Sequence, residues 1–194
     1  VLKVEVRAEG VLPPAELEAF LARVPEHILV ILDEAYNEYM DPALRADSAA
    51  WVARFPNLVV TRTFSKAYGL AGLRLGYAVT TPELASVLNR VREPFNANAL
   101  ALVAAQATLE DSDYLQRAVA LNRQEMARYE AFFNELGLTF IQSSGNFITV
   151  DLAQPAAPIY QALLQQGVIV RPIAGYGMPN HLRISIGTAQ ENDR

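Results

Sequence analysis

Asp33, Lys66 and Arg74 are the side chains whose types and spacing suggest chemistry. Asp33 stands directly after the apolar run Ile-Leu-Val-Ile-Leu at residues 28–32, and Lys66 follows the strand-like run Leu-Val-Val-Thr-Arg-Thr at residues 58–63. An acid directly after an apolar strand sits at the strand's carboxyl end, the edge where open α/β sheets bind ligands. The stretch between Asp33 and Leu58 leaves room for a right-handed crossover. If both runs are parallel strands of one sheet, Asp33 and Lys66 face one crevice. A lysine in such a place can form a Schiff base with an aldehyde. Pyridoxal phosphate uses all three groups: a lysine for attachment, an acid to keep its ring nitrogen protonated, and cationic or hydroxyl donors for its phosphate. Arg74 suits the phosphate because a planar guanidinium binds two oxygens at once. Thr63 and Ser65 add hydroxyls beside Lys66, and Tyr36 could donate to the cofactor's phenolate oxygen.

Each residue alone has an ordinary structural explanation. An acid after a strand is often a turn cap, and a single lysine is usually solvated. Gly69, Gly72 and Gly76 can serve tight turns and close packing. They form neither G-x-G-x-x-G nor a Walker loop. Residues 63–66 miss S-x-x-K because Thr63 replaces the first serine. His27, His181 and the single tryptophan, Trp51, read as structural. The combination, rather than any member, points to the cofactor.

The elements that must position these groups are visible in the pattern. Leu2, Val4 and Val6 alternate with charged residues, as in a half-buried strand. Pro13 and Pro14 open a helix with Leu17, Phe20, Leu21 and Val24 on one face. Further strands are expected at residues 28–32, 58–63 and 77–80, with a short helix at 48–55. Thr81, Pro82 and Glu83 start a helix to about Arg92. Residues 97–110 are almost uniformly apolar and predict a buried helix. Asp111 caps a long helix ended by Gly137. Beyond it come strands at 138–142, 147–152, 168–173 and 182–186, with a helix at 157–166. The sequence expectation is therefore an α/β chain of two parts. Residues 1–111 form a mostly parallel sheet with helices, and residues 112–194 form a smaller α+β domain entered by a long helix.

Composition narrows the classes. The 194 residues are 52% apolar and 19% charged, which excludes intrinsic disorder. A net charge of −5 argues against nucleic acid as a partner. The absence of cysteine excludes disulfides, thiolate zinc sites and Fe–S clusters, and no metal site is expected. No membrane segment or signal-peptide pattern is visible, so the expected compartment is the cytoplasm.

Residues 33–36 (Asp-Glu-Ala-Tyr) and 61–77 (Thr-Arg-Thr-Phe-Ser-Lys-Ala-Tyr-Gly-Leu-Ala-Gly-Leu-Arg-Leu-Gly-Tyr) together resemble the fold-type-I, pyridoxal-phosphate-dependent aminotransferases. Within them the chain is most similar to the histidinol-phosphate aminotransferase family, from about Val11 to Arg194. The resemblance implies that Lys66 is the Schiff-base lysine and a general base. It implies that Asp33 pairs with the pyridinium, that Tyr36 bonds the phenolate oxygen, and that Ser65, Arg74 and Thr63 hold the phosphate. Arg183 matches the arginine that grips the substrate's α-carboxylate. Arg171 matches a second arginine near the phosphate end, and Asn146 lies where the family lines the substrate pocket. The implied substrates are an amino-acid phosphate and glutamate or 2-oxoglutarate, and the implied assembly is a homodimer. A threonine-phosphate decarboxylase is the rival within the cofactor class, and a non-catalytic fragment is the rival outside it.

Family members are about twice this length, so the resemblance also implies a C-terminal fragment. The glycine turn and helix N-terminus that cradle the phosphate, and the ring that stacks on the cofactor, belong to the other half. Weak cofactor binding by this chain alone, or none, is the corresponding expectation. Residues 1–10 match nothing in the family, and a last helix after Glu191 is expected to be missing.

Overall fold

The computed structural model describes residues 2–4 and 12–194. The described residues divide into two compact units, one of residues 2–4 and 12–116 and one of Arg117–Arg194. The division falls inside a helix rather than at Asp111, because that helix is continuous across it.

The first unit carries a four-stranded sheet in the order β1 (Leu2–Val4), β2 (Val30–Asp33), β3 (Leu58–Thr63) and β4 (Gly76–Val79). β1, β2 and β3 run parallel, and β4 is an antiparallel edge. Helix α1 (Pro14–Leu21) starts at a proline pair, where a missing N–H costs nothing. The short helix α2 (Ser48–Trp51) is capped by the Asp47 carboxylate, which accepts from Ala50 N–H. Leu17 and Leu21 of α1 and Trp51 and Val52 pack on one face of the sheet, formed by Val30, Leu32, Leu58 and Val60. Register explains why these four share a face: Val30 lies opposite Leu58, and Leu32 opposite Val60. By the same alternation Asp33, Thr61 and Thr63 belong to the other face.

Helices α3 (Pro82–Val91) and α4 (Ala99–Glu110) follow. Thr81 and Asn98 cap them with side-chain oxygens. The buried helix expected at residues 97–110 is corrected here. Of α4, only Ala101 and Ala105 are buried, while Leu100, Leu102, Val103 and Leu109 are exposed. A uniformly apolar helix reads as buried on every side, but the contact here is a narrow stripe of small residues one turn apart. Phe95, between the two helices, has a left-handed backbone (φ 57°) and is 98% exposed.

Helix α5 (Ser112–Glu135) spans on the order of 36 Å. The second unit contains its later turns and an antiparallel sheet in the order β5 (Phe140–Ile141), β6 (Phe147–Asp151), β8 (His181–Ser185), β7 (Arg171–Pro172). Helix α6 (Ala156–Gln165) precedes β7. The core gathers Met126, Phe133, Ile148, Val150, Ala156 and Leu182. β5 and β7 are shorter than the runs expected at 138–142 and 168–173. Gly137 and Gly167 take left-handed φ values of 68° and 75° as C-terminal caps. The N–H groups of Leu138 and Val168 then turn back to the carbonyls of Phe133 and Leu163, both at 2.9 Å. The first residues after each glycine thus close a helix and are lost to the sheet.

One short turn of helix follows the last strand. Thr188 and Glu191 form a reciprocal capping box that starts α7 (Ala189–Asn192). Among the described residues, no helix is long and apolar enough to cross a membrane.

Candidate functional site

In the first unit the site lies in the segments that leave β2 and β3. Asp33 ends β2 opposite Thr61, and its Oδ1 accepts from Ala35 N–H at 3.1 Å, turning the chain at the strand's end. The turn leads into Tyr36. After β3 the chain forms a loop pinned from within. Phe64 N–H bonds Leu75 O at 3.1 Å, Gly69 N–H bonds Lys66 O at 2.9 Å, and Leu70 N–H bonds Phe64 O at 2.9 Å. Phe64 and Ala67 are buried and anchor the loop, leaving Ser65 and Lys66 partly exposed between them.

Two glycines are required by this path. Gly69 has φ 72°, and a Cβ on it would collide with the Tyr114 hydroxyl. A Cβ on Gly76 would stand 2.8 Å from the Arg62 carbonyl oxygen. Arg74 adopts a left-handed backbone (φ 54°), a conformation that non-glycine residues hold only where surroundings enforce it. Its guanidinium donates to Ala71 O at 2.9 Å and to Ser65 Oγ at 3.4 Å.

The structure therefore brings several of the sequence candidates together. Lys66 Nζ lies 5.1 Å from the centroid of the Tyr36 ring. Arg74 and Ser65 stand side by side. Thr63, expected to help hold a phosphate, is engaged elsewhere: its Oγ1 accepts from Ser65 N–H at 3.0 Å and donates to Leu75 O at 3.5 Å. It shapes the loop beneath Ser65. This donor set fits pyridoxal phosphate: a lysine beside a tyrosine, a carboxylate at the strand end, and a paired hydroxyl and guanidinium.

Around these residues lies a half-buried group of charges and phenols that the sequence reading missed. Arg62 Nε donates to Glu34 Oε2 at 2.9 Å, and Nη2 of the same guanidinium lies 2.9 Å from that oxygen in an ion pair. Burial opposes the Arg62 charge, but Glu34 and the Tyr77 hydroxyl outweigh it, so the guanidinium is held above its ordinary value. Burial raises the Glu38 carboxyl, against the opposing pull of its own backbone and of Arg62 and Arg45. Burial likewise pushes the Tyr39 phenol up to about 12.

In the second unit the candidates are placed by strand register. Thr149 of β6, Arg183 of β8 and Arg171 of β7 form one row across three strands. Like charges directly opposite each other are unfavourable unless an anion lies between them. The Arg183 guanidinium packs 4.6 Å from the Phe147 ring centroid. Asn146 precedes β6, and its carbonyl accepts from Ile186 N–H at 2.9 Å. Further along α5, Glu125 is fully buried. Its Oε2 accepts from Arg128 Nη1 at 2.7 Å and from Asn192 Nδ2 at 2.8 Å. Among the described residues, no cluster of histidine, aspartate and glutamate could hold a metal ion.

Residues 10–194 match the family of class I and II aminotransferases. The chain belongs to that family. Histidinol-phosphate aminotransferase 1 of Mannheimia succiniciproducens is 60% identical to it over 183 residues, covering 94% of this chain and 50% of that enzyme. The crystal structure of histidinol-phosphate aminotransferase from Sinorhizobium meliloti, in complex with pyridoxal-5'-phosphate, superposes with a TM-score of 0.88 at 31% identity. That superposition covers 97% of this chain and 52% of the other. L-threonine-O-3-phosphate decarboxylase from Porphyromonas gingivalis has a TM-score of 0.85 at 22% identity, covering 99% of this chain and 60% of the other, and so shares the fold alone. The chain spans about half the length of the curated relatives it matches.

Proposed function

We propose that this chain carries the lysine-bearing part of a pyridoxal-phosphate site and the substrate domain of a histidinol-phosphate aminotransferase, which moves an amino group between glutamate and an imidazole-bearing phosphate ketone in histidine biosynthesis. The observation that carries the reading is the placement of Lys66 beside Tyr36, with Ser65 and Arg74 paired in the same loop and Asp33 at the neighbouring strand end. Pyridoxal phosphate, when bound, supplies an aldehyde for the lysine and an electron sink for the substrate's α-carbon.

The chain's own residues divide the work. Lys66 Nζ would hold the cofactor through its amine and would serve as the general base at the substrate's α-carbon. Asp33 keeps the ring nitrogen protonated, and Tyr36 donates to the phenolate oxygen. Ser65 and Arg74 bind phosphate oxygens, with Thr63 closing the loop beneath them. In the second unit Arg183, backed by Phe147, takes the α-carboxylate of glutamate, Arg171 takes the far anionic group, and Asn146 lines the pocket. The same reading carries a homodimer working in the cytoplasm.

The chain has two lysines, Lys3 and Lys66, which gives the test an internal reference. Purified chain is incubated with excess pyridoxal phosphate and reduced with borohydride, and the label is located by mass spectrometry. The expected result is label at Lys66 well above Lys3, lost in Lys66→Ala. Histidinol phosphate added before reduction should lower the Lys66 label by displacing the lysine, and threonine phosphate should not. Equal labelling of both lysines would overturn the reading that this chain by itself holds the cofactor at Lys66. Displacement by threonine phosphate alone would overturn the choice of substrate.

A further inference from the structure

We propose that Glu34 and Arg62 form a positioning brace that fixes the turn bearing Asp33 and Tyr36 against the strand leading to Lys66. This rests on the cofactor reading above and adds residues to which it assigns no role.

The pair sits where the ladder between β2 and β3 runs out. The last paired residues are Asp33 and Thr61, and Glu34 N–H extends the ladder by donating to Thr61 O at 2.9 Å. Arg62 is therefore one residue past the last rung of β3, and Glu34 one residue past Asp33. Alternation along β3 puts Thr61 and Thr63 on the face that Asp33 shares and Arg62 on the opposite face, in line with Leu58 and Val60. The apolar row that packs on α1 and α2 thus ends in a charged rung. Its third member is Tyr77, the register partner of Arg62 on β4, just past the end of the Lys66 loop.

The geometry is that of a fixed link rather than a surface ion pair. The Glu34 and Arg62 side chains are only 10% and 23% exposed. Two nitrogens of one guanidinium converge on a single carboxylate oxygen, which holds both orientation and distance. A surface pair would be screened and worth little, whereas this one is shielded and joins segments 28 residues apart. The rung crosses β2, β3 and β4, the strands from which Asp33, Lys66 and Arg74 depart or to which they return. Glu34 adjoins Asp33, Arg62 precedes Lys66 by four residues, and Tyr77 follows Arg74 by three.

The test uses the full chain and the ratio of Lys66 to Lys3 label at sub-saturating pyridoxal phosphate, with far-UV circular dichroism of each variant as a check on folding. Arg62→Lys keeps the charge and removes the fork, Glu34→Gln keeps the shape and removes the charge, and Glu34→Arg with Arg62→Glu restores the pair in reverse. The expected result is a fall in the ratio on the order of tenfold in both single variants, with partial recovery in the double variant. Added salt should hardly change the ratio in the unsubstituted chain. Either single variant that keeps its fold and its full Lys66 preference overturns the brace. Should Arg62→Lys lose its fold, Glu34→Gln decides alone. Equal labelling of Lys66 and Lys3 in the unsubstituted chain overturns the reading that this chain by itself holds the cofactor at Lys66, so the two failures are told apart.

Discussion

The two units place their candidate residues by different means. In the first, Asp33 ends β2, while Tyr36, Ser65, Lys66 and Arg74 lie beyond strand ends, in a turn and a loop whose shape must be locked. The locks are Gly69 against Tyr114, the left-handed Arg74 and the twice-bonded Thr63 hydroxyl. In the second, Arg171 and Arg183 lie within strands, and register alone sets them opposite each other. Loop placement depends on many weak closures, so it is easily disturbed without unfolding. Strand placement shares the fate of the sheet. Both units leave large apolar side chains exposed, Val91, Phe95, Leu100 and Val103 in the first and Phe132, Leu136, Ile169 and Tyr176 in the second.

The largest expected effects test whether the two units respond separately. Leu58 and Ile148 are each fully buried in the sheet of their own unit. Leu58→Ala and Ile148→Ala should each destabilise by roughly 2–5 kcal/mol. Hydrogen exchange should accelerate in residues 12–116 for the first and in Arg117–Arg194 for the second. Because β3 leads directly into the Lys66 loop, Leu58→Ala should also reduce Lys66 labelling, while Ile148→Ala should leave it intact. A loss of Lys66 labelling in Ile148→Ala would erase the contrast.

A smaller effect is expected at the far end of the second unit. Glu125 Oε2 binds Arg128 and Asn192, and Asn192 in turn accepts from Gly187 N–H at 3.0 Å and donates to Gly187 O at 3.1 Å. Arg128 also pairs with Asp193. This network ties the chain after β8 to α5. Glu125→Ala removes a buried acceptor from Asn192 and should cost about 1–3 kcal/mol. Exchange should accelerate first at residues 187–193, with the first unit unchanged. Uniform acceleration across both units would show that the network does more than fasten this segment.

What the sequence made legible follows the same division. Helix starts at Pro14, Thr81 and Asp111 and stops at Gly137 and Gly167 were readable because caps are local chemistry. The strand-end position of Asp33 and the spacing from Lys66 to Arg74 were readable for the same reason, together with the family resemblance. The pairing of Glu34 with Arg62 and of Glu125 with Asn192 was not, because each needs the register or packing of segments far apart in the chain. The exposure of α4 escapes the sequence because an all-apolar helix has no polar face to reveal which side is covered. The capping box at Thr188 and Glu191 was a local signal and could have been found.

The smallest effect concerns Glu38, an acid near the site whose charged form burial disfavours. Glu38 follows Tyr36 by two residues and is buried, and burial raises its carboxyl above the ordinary value. An acid with a raised folded value favours folding in its protonated form. As pH rises through the ordinary carboxylate range, the unfolded chain releases this proton first, so stability falls until the folded group also ionises. Below that range Glu38 imposes no penalty. Glu38→Gln should therefore stabilise the first unit slightly at about pH 7 and give no gain at about pH 3, where both forms are neutral. Thermal unfolding of the two proteins across this range should show curves that converge on acidification. Curves that stay parallel would mean that the substitution acts through packing, and that Arg45 and Arg62 already offset the whole cost of the buried charge.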